Sequence, residues 1–309
     1  MVRKQVKVSA PGSVMLMGEH AVLRGKPALV AAVNGRVTVA VLPRDDDRVH
    51  IESEIGQYGK PWCNVKIEPP FEFVLAAVLD LGGGRGLDIQ VQSSFSSRVG
   101  LGSSAAVTVA SVAALLALQD KGIDLPIVFA LGLESSRRAQ NGMGSGADVA
   151  ASTYGGVVRY LMDGDVTSLD IAPPVFSMVY CGYKKPTPEV IEIVHTFEAA
   201  HPNEAAAIFA EMEKLTVDAE QALLGGDAGL VGHLMNRFHA CQQALGVSNE
   251  DLDRMAAGLS ASPGISGAKI SGSGLGDCVI GFGSDAAAVP GYDKISVHIA
   301  NRGVRIEED

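Results

Sequence analysis

The sequence lacks most of the features that would mark a specialised surface or a metal scaffold. Only 19% of its 309 residues are charged, the net charge is -10, and Lys and Arg nowhere form a block. Nucleic acid and anionic membrane both call for a concentrated positive surface, so neither is expected as the main partner. A small anionic substrate needs only local basic groups and stays open. The four cysteines (Cys63, Cys181, Cys241, Cys278) are scattered, with no CxxC pair and no His/Cys ligand spacing. That argues against zinc and against a disulfide framework, and it fits a reducing compartment. The most apolar run, Ala105 to Leu118, is too short and too rich in small residues to span a membrane. The start, Met1 to Val8, is too polar for a signal peptide, so a cytoplasmic location is expected. G-x-x-x-x-G-K-[ST] and G-x-G-x-x-G are both absent, which removes the P-loop and Rossmann readings.

What is present is a chain long enough for two domains or one large one. Its centre of interest is Arg98-Val-Gly-Leu-Gly-Ser-Ser-Ala-Ala106, which leads into the Ala/Leu-rich run to Leu118. That run predicts a helix. Glycines at its start let backbone N–H groups approach a ligand, and the first N–H groups of a helix lack internal partners. The combination is an anion site, most often for phosphate. Ser103 or Ser104 could cap the helix or bind magnesium. An ordinary Gly turn with a Ser cap is the alternative from this stretch alone.

Elsewhere the pattern predicts strands at Gln5–Ser9 and Val14–Met17 around a Pro11-Gly12 turn. Ala28–Val41 reads as two strands around Asn34-Gly35. Strands are also predicted at Val49–Glu54, Asn64–Glu68 and Leu87–Gln92, with Gly56–Pro61 a loop that could border a ligand. Glu19 and His20 follow a strand end and could orient a polar substrate; a core histidine beside a surface acid is the plainer reading. Helices are predicted at Phe71–Leu81 and Ile127–Ala139. After the second comes a Gly/Ser run, then Asp148, suited either to act as a base for hydroxyl attack on phosphorus or to sit at a helix N-terminus. Strands are then predicted at Val157–Met162 and Val175–Cys181, and a composition shift near residues 157–175 marks the expected domain boundary. Four helices follow, with Asn203 and Asn249 as plausible caps, and Gly267–Gly281 reads as strand, Gly-rich loop, strand.

Residues 10–20, 98–106 and 267–279, taken with Asp148, resemble the three motifs of the GHMP kinase superfamily in order and spacing across nearly the whole chain. Within it, Gly18-Glu-His-Ala-Val-Leu-Arg-Gly-Lys-Pro-Ala28 and Leu245-Gly-Val-Ser248 are most similar to the mevalonate kinases. The resemblance implies an α+β fold with a ribosomal-protein-S5-like N-terminal domain (1–170) and a ferredoxin-like C-terminal domain (171–309). It implies ATP and Mg2+ as cofactors, a mevalonate-like small molecule as acceptor, and room for a homodimer. Asp148 would be the catalytic acid that accepts or orients the hydroxyl proton. Gly100, Leu101, Gly102, Ser103 and Ser104 would bind the nucleotide, with Ser104 also on the metal. Ser13, Glu19, His20, Ser271, Gly272 and Gly274 would face the substrate.

Two positions depart from the pattern. The first motif of the family usually carries a lysine where this chain has Ser13, and a serine cannot supply that charge. The magnesium-binding glutamate expected eleven residues before Asp148 is Arg137, which makes Glu134, one helical turn earlier, the substitute metal ligand. Residues 139–152 and Gly276-Asp277-Cys278 lean toward phosphomevalonate kinase, the rival enzyme reading. A ligand sensor without turnover is the non-enzyme rival.

Overall fold

Valine-rich runs, buried along most of their length, build two long strands at the centre of the protein, β1 (Val6–Met17) and β2 (Ala28–Pro43), which run antiparallel. The computed structural model describes residues 5–96 and 99–308. The polar start up to Lys4, Ser97 and Arg98 at the head of the Gly-rich stretch, and Asp309 of the acidic tail lie outside the described residues. The turns expected at Pro11-Gly12 and Asn34-Gly35 do not end either strand. Pro11 pairs with Arg36 and Gly12 with Val33, so Asn34 and Gly35 bulge out of β2 opposite that step. A bulge is where a sheet accommodates a residue with no N–H to give.

β3 (Arg48–Ser53) and β4 (Gly56–Pro61) form a hairpin, α1 (Glu72–Leu81) follows, and β5 (Leu87–Ser93) enters between β2 and β3. Here two expectations are reversed: Gly56–Pro61 is a strand, and Asn64–Glu68 is not. Gly56, Gly59 and Pro61 hide the strand pattern, yet an edge strand tolerates them, and Tyr58 supplies its buried side chain. Three helices then cover this sheet: α2 (Ser103–Leu118), α3 (Leu125–Ala139) and α4 (Ala147–Tyr154). α2 is buried on almost every side from Ala105 to Leu116. It lies between β1 and β2 on one side and α1, α3 and α4 on the other. An apolar surface all round has no solvent face to offer, which is why this short run sits in the core rather than in a membrane. β6 (Val157–Tyr160) and β7 (Val166–Ser168) extend the sheet beside β2.

The second sheet begins with β8 (Phe176–Tyr180). It is completed after four helices, α5 (Thr187–Ala200), α6 (Pro202–Leu224), α7 (Ala228–Ala244) and α8 (Glu250–Ser260), by β9 (Gly267–Ser271), β10 (Cys278–Phe282) and β11 (Asp293–Ile295). Its order is β11-β8-β10-β9, antiparallel throughout, with α7 and α8 packed on it. Asn249 caps α8, its side chain accepting the Leu252 N–H at 3.0 Å. Asn203 is not a cap: α6 starts at Pro202, whose missing N–H costs nothing in a first turn. The chain ends with β12 (Arg305–Ile306) against β1. The two sheets meet where β9 approaches β1, and Ser271 Oγ donates to the Met15 carbonyl at 3.1 Å across that seam.

Candidate active site

One pocket opens at this seam. Its walls come from β1 and the turn after it (Ser13, Glu19, His20), the start of α2 (Gly100, Gly102, Ser103, Ser104) and the start of α4 (Asp148). The connection between β9 and β10 (Ser271, Gly272, Ser273, Asp277) and the segment entering α5 (Lys184, Thr187) close it.

The α2 wall is a helix N-terminus made by two glycines. Gly102 is the N-cap in the left-handed conformation (φ 62°), and no side chain caps the helix, so the capping role open to Ser103 or Ser104 is not used. A Cβ on Gly102 would lie 1.9 Å from Ser13 Oγ, and one on Gly100 would lie 2.0 Å from Asp277 Oδ2. Glycine is required at both places by close approach. Gly100→Ala is therefore expected to displace Asp277, cost about 1–3 kcal/mol of stability and weaken nucleotide binding. Urea unfolding together with ATP titration checks it. Leu101 belongs elsewhere. Its side chain is buried in the core, and its carbonyl accepts the Ser13 N–H at 3.0 Å, so it anchors the loop rather than lining the pocket.

Asp148 is the second residue of α4, a helix N-terminal aspartate, and it lines the pocket. Ser13 Oγ donates to its Oδ1 at 2.8 Å. Burial pushes its carboxyl above the ordinary value of 3.8; the Ser13 hydroxyl and Lys184 oppose that, and Asp277 adds to it. A carboxylate raised in this way is poised as a proton acceptor.

The turn after β1 is held from behind. Glu19 Oε1 accepts from Lys269 Nζ and from the Gly272 N–H, while its Oε2 is buried with no partner. Lys269 is wholly buried on β9 and was invisible as a site residue in the sequence. His20 takes a positive φ of 60°, and its Nε2–H donates to the Ser273 carbonyl at 2.8 Å. Burial lowers its pKa to about 4, so the ring is neutral near neutral pH. Gly272 lines the pocket as expected, and so does Ser271, though its hydroxyl is occupied by Met15. Gly274 does not: a Cβ there would meet the Val247 carbonyl at 2.2 Å, and its smallness serves packing.

The substitute metal ligand is also corrected. Glu134 is exposed on α3, while Ser136, two residues on, lines the pocket. Residues two apart on a helix do not share a face. Among the described residues no group of three His, Cys, Asp or Glu side chains is placed to hold a metal. Two charged residues join the site that the sequence did not single out individually, Lys184 and Asp277. The only advance signals were a Lys-Lys-Pro step before a helix and an acid inside a Gly-rich loop.

Comparison with known proteins agrees with this geometry. Residues 71–156 match the family model of the GHMP kinases N terminal domain, residues 219–296 that of the GHMP kinases C terminal, and residues 2–43 the galactokinase galactose-binding signature. The mevalonate kinase of Archaeoglobus fulgidus is 34% identical over 303 residues, covering 97% of this chain and 99% of that one. The chain belongs to the mevalonate kinase family of GHMP kinases. The Aeropyrum pernix mevalonate kinase is 29% identical over 328 residues, covering 99% of this chain and 100% of that one. The crystal structure of the Methanococcus jannaschii mevalonate kinase shares the fold, with a TM-score of 0.79 at 22% identity over 96% of this chain and 99% of that one. The α+β, two-domain GHMP architecture expected from the motifs is thus the observed one. None of the described helices is long and apolar enough to cross a membrane.

Proposed function

We propose that the protein transfers the γ-phosphoryl group of ATP to the primary hydroxyl of mevalonate. The observation that carries this reading is the place of Ser13. It touches the phosphate-type loop at Gly102 on one side and donates to Asp148 on the other, so nucleotide and base converge on one point. The α2 N-terminus with Gly100, Gly102, Ser103 and Ser104 would hold the phosphates through backbone N–H groups and the helix dipole. Asp148 would orient the acceptor hydroxyl. Its oxygen attacks the γ-phosphorus, the bond to the β–γ bridging oxygen breaks, ADP leaves with that electron pair, and Asp148 takes the hydroxyl proton. Residues 1–170 would carry the nucleotide, and residues 171–309 would close the substrate side.

The donors at the pocket suit Mg2+. They are hard oxygens, the Ser104 hydroxyl and the Asp148 carboxylate, and this ion is commonly held by one or two carboxylates plus substrate phosphates. Ser104 and a carboxylate would hold it, where it would neutralise phosphate charge. ADP release with ATP, Mg2+ and either mevalonate or phosphomevalonate tests the reading. Turnover with mevalonate is expected. Turnover with phosphomevalonate alone would overturn the acceptor and keep the chemistry. No turnover with either would overturn both.

A further inference from the structure

The pocket is poor in positive charge for an enzyme whose two substrates are both anionic. Its walls carry three carboxylates, Glu19, Asp148 and Asp277, and Glu19 is already matched by Lys269 behind it. His20 is neutral. Among the described residues lining the pocket, Lys184 is the one cation. Its Nζ lies 2.9 Å from Asp277 Oδ2, while Asp277 Oδ1 accepts the Gly100 N–H at 2.8 Å. One carboxylate therefore ties this lysine to the start of the phosphate-type loop.

The tether is rigid. The Asp277 N–H donates to the Tyr183 carbonyl at 2.8 Å, and the Cys181 N–H donates to the Asp277 carbonyl at 3.0 Å. These two bonds lie just past the last pair of the ladder, Tyr180 with Cys278, and fasten the segment that follows β8 to the loop that precedes β10. The side chain remains 40% exposed, toward the pocket mouth, and can reach an entering ligand.

We propose that Lys184, positioned by Asp277, places the positive charge on the phosphoryl group in flight, in the site where Ser13 cannot. The proposal rests on the kinase reading above. Charge builds on the equatorial oxygens of the transferring group, and a cation fixed beforehand stabilises it without reorganising at the moment of reaction. Although burial opposes the charge on Lys184, Asp277 and then Asp148 outweigh it and hold the ammonium protonated. Asp277 is a positioning residue: it does not need to touch substrate.

Lys184→Met on the full chain, assayed with ATP, Mg2+ and mevalonate, is expected to lower kcat about 10²-fold. The ATP dissociation constant should stay within about threefold. Lys184→Ala should regain turnover on addition of propylammonium, and Ser13→Lys in the Lys184→Met background should regain it by bringing a lysine from the other wall. A kcat of Lys184→Met within about twofold of wild type would overturn the proposal. So would a loss confined to KM for mevalonate, or a loss that neither propylammonium nor Ser13→Lys restores. Wild-type protein that fails to turn over mevalonate would sink the kinase reading instead, so the two failures are told apart.

Discussion

Asp148→Asn is expected to lose about 10³-fold in kcat while gaining thermal stability. The amide oxygen can still accept the hydrogen bond that Ser13 Oγ gives at 2.8 Å, so the pocket keeps its shape. The phosphate-type loop is untouched, and ATP affinity should not change. Only the proton acceptor goes. The stability gain follows from the sign of the shift. Burial raises the folded-state pKa of Asp148 above its ordinary 3.8, so its stabilising contribution is complete below the unfolded value. That contribution is lost as pH rises through the folded value. Once ionised, Asp148 is a carboxylate in a place that disfavours charge, and asparagine resembles the protonated form. Wild-type kcat should rise on the acid side with a midpoint above the ordinary aspartate value of 3.8. Single-turnover kinetics across pH and calorimetry of both proteins measure these effects. An asparagine variant with unchanged kcat would remove Asp148 from the chemistry.

That Asp148 stands where its sequence neighbourhood suggested, and that Leu101, Gly274 and Glu134 do not, follows from what a sequence pattern encodes. Local order was legible: the apolar run after the Gly-rich stretch is α2, the alternation at Leu87 is β5, and Asn249 begins α8. The same pattern cannot say what a glycine is small for. Gly100 abuts Asp277 and Gly274 abuts Val247, and both look alike in a Gly-rich motif. Glu134 illustrates a second limit. It stands one helical turn before the position expected of a metal ligand, but the helix phase that brings Ser136 and Gln140 to the pocket turns Glu134 to solvent. Lys184 and Lys269 could not be placed at all. Lys184 lies in the segment just beyond the β8–β10 pairing and Lys269 is set by the pairing of β9 with β10, and both take acidic partners on distant parts of the chain. The Lys-Lys-Pro step and the third Gly-rich motif mark their neighbourhoods but do not say which acid either side chain meets.

Lys269 carries the second large effect, on folding. It is wholly buried, its Nζ donates to Glu19 Oε1 and to the Ile270 carbonyl, and it lies 5.3 Å from the centre of the Phe238 ring. Methionine would fill much of that volume, yet Lys269→Met leaves Glu19 with only the Gly272 N–H at 3.4 Å for a buried carboxylate. Breaking one side of a buried pair costs about 3–5 kcal/mol, because the remaining charge is uncompensated. Replacing both sides, Glu19→Gln with Lys269→Met, removes more polar atoms but strands no charge, so the double variant should be the more stable of the two. The pH dependence separates this cause from poor packing. Burial already raises the Glu19 pKa against the pull of Lys269, and losing the lysine raises it further. A raised carboxyl contributes its stability below the unfolded pKa and loses it as pH rises through the folded one. Lys269→Met should therefore be weakest at neutral and higher pH and recover on acidification, while the double variant shows no such recovery. Urea unfolding of the three proteins across that range reads it directly. Equal deficits at every pH would mean that Lys269 acts through shape alone, and that the charge on Glu19 contributes nothing to holding the β1 turn against β9.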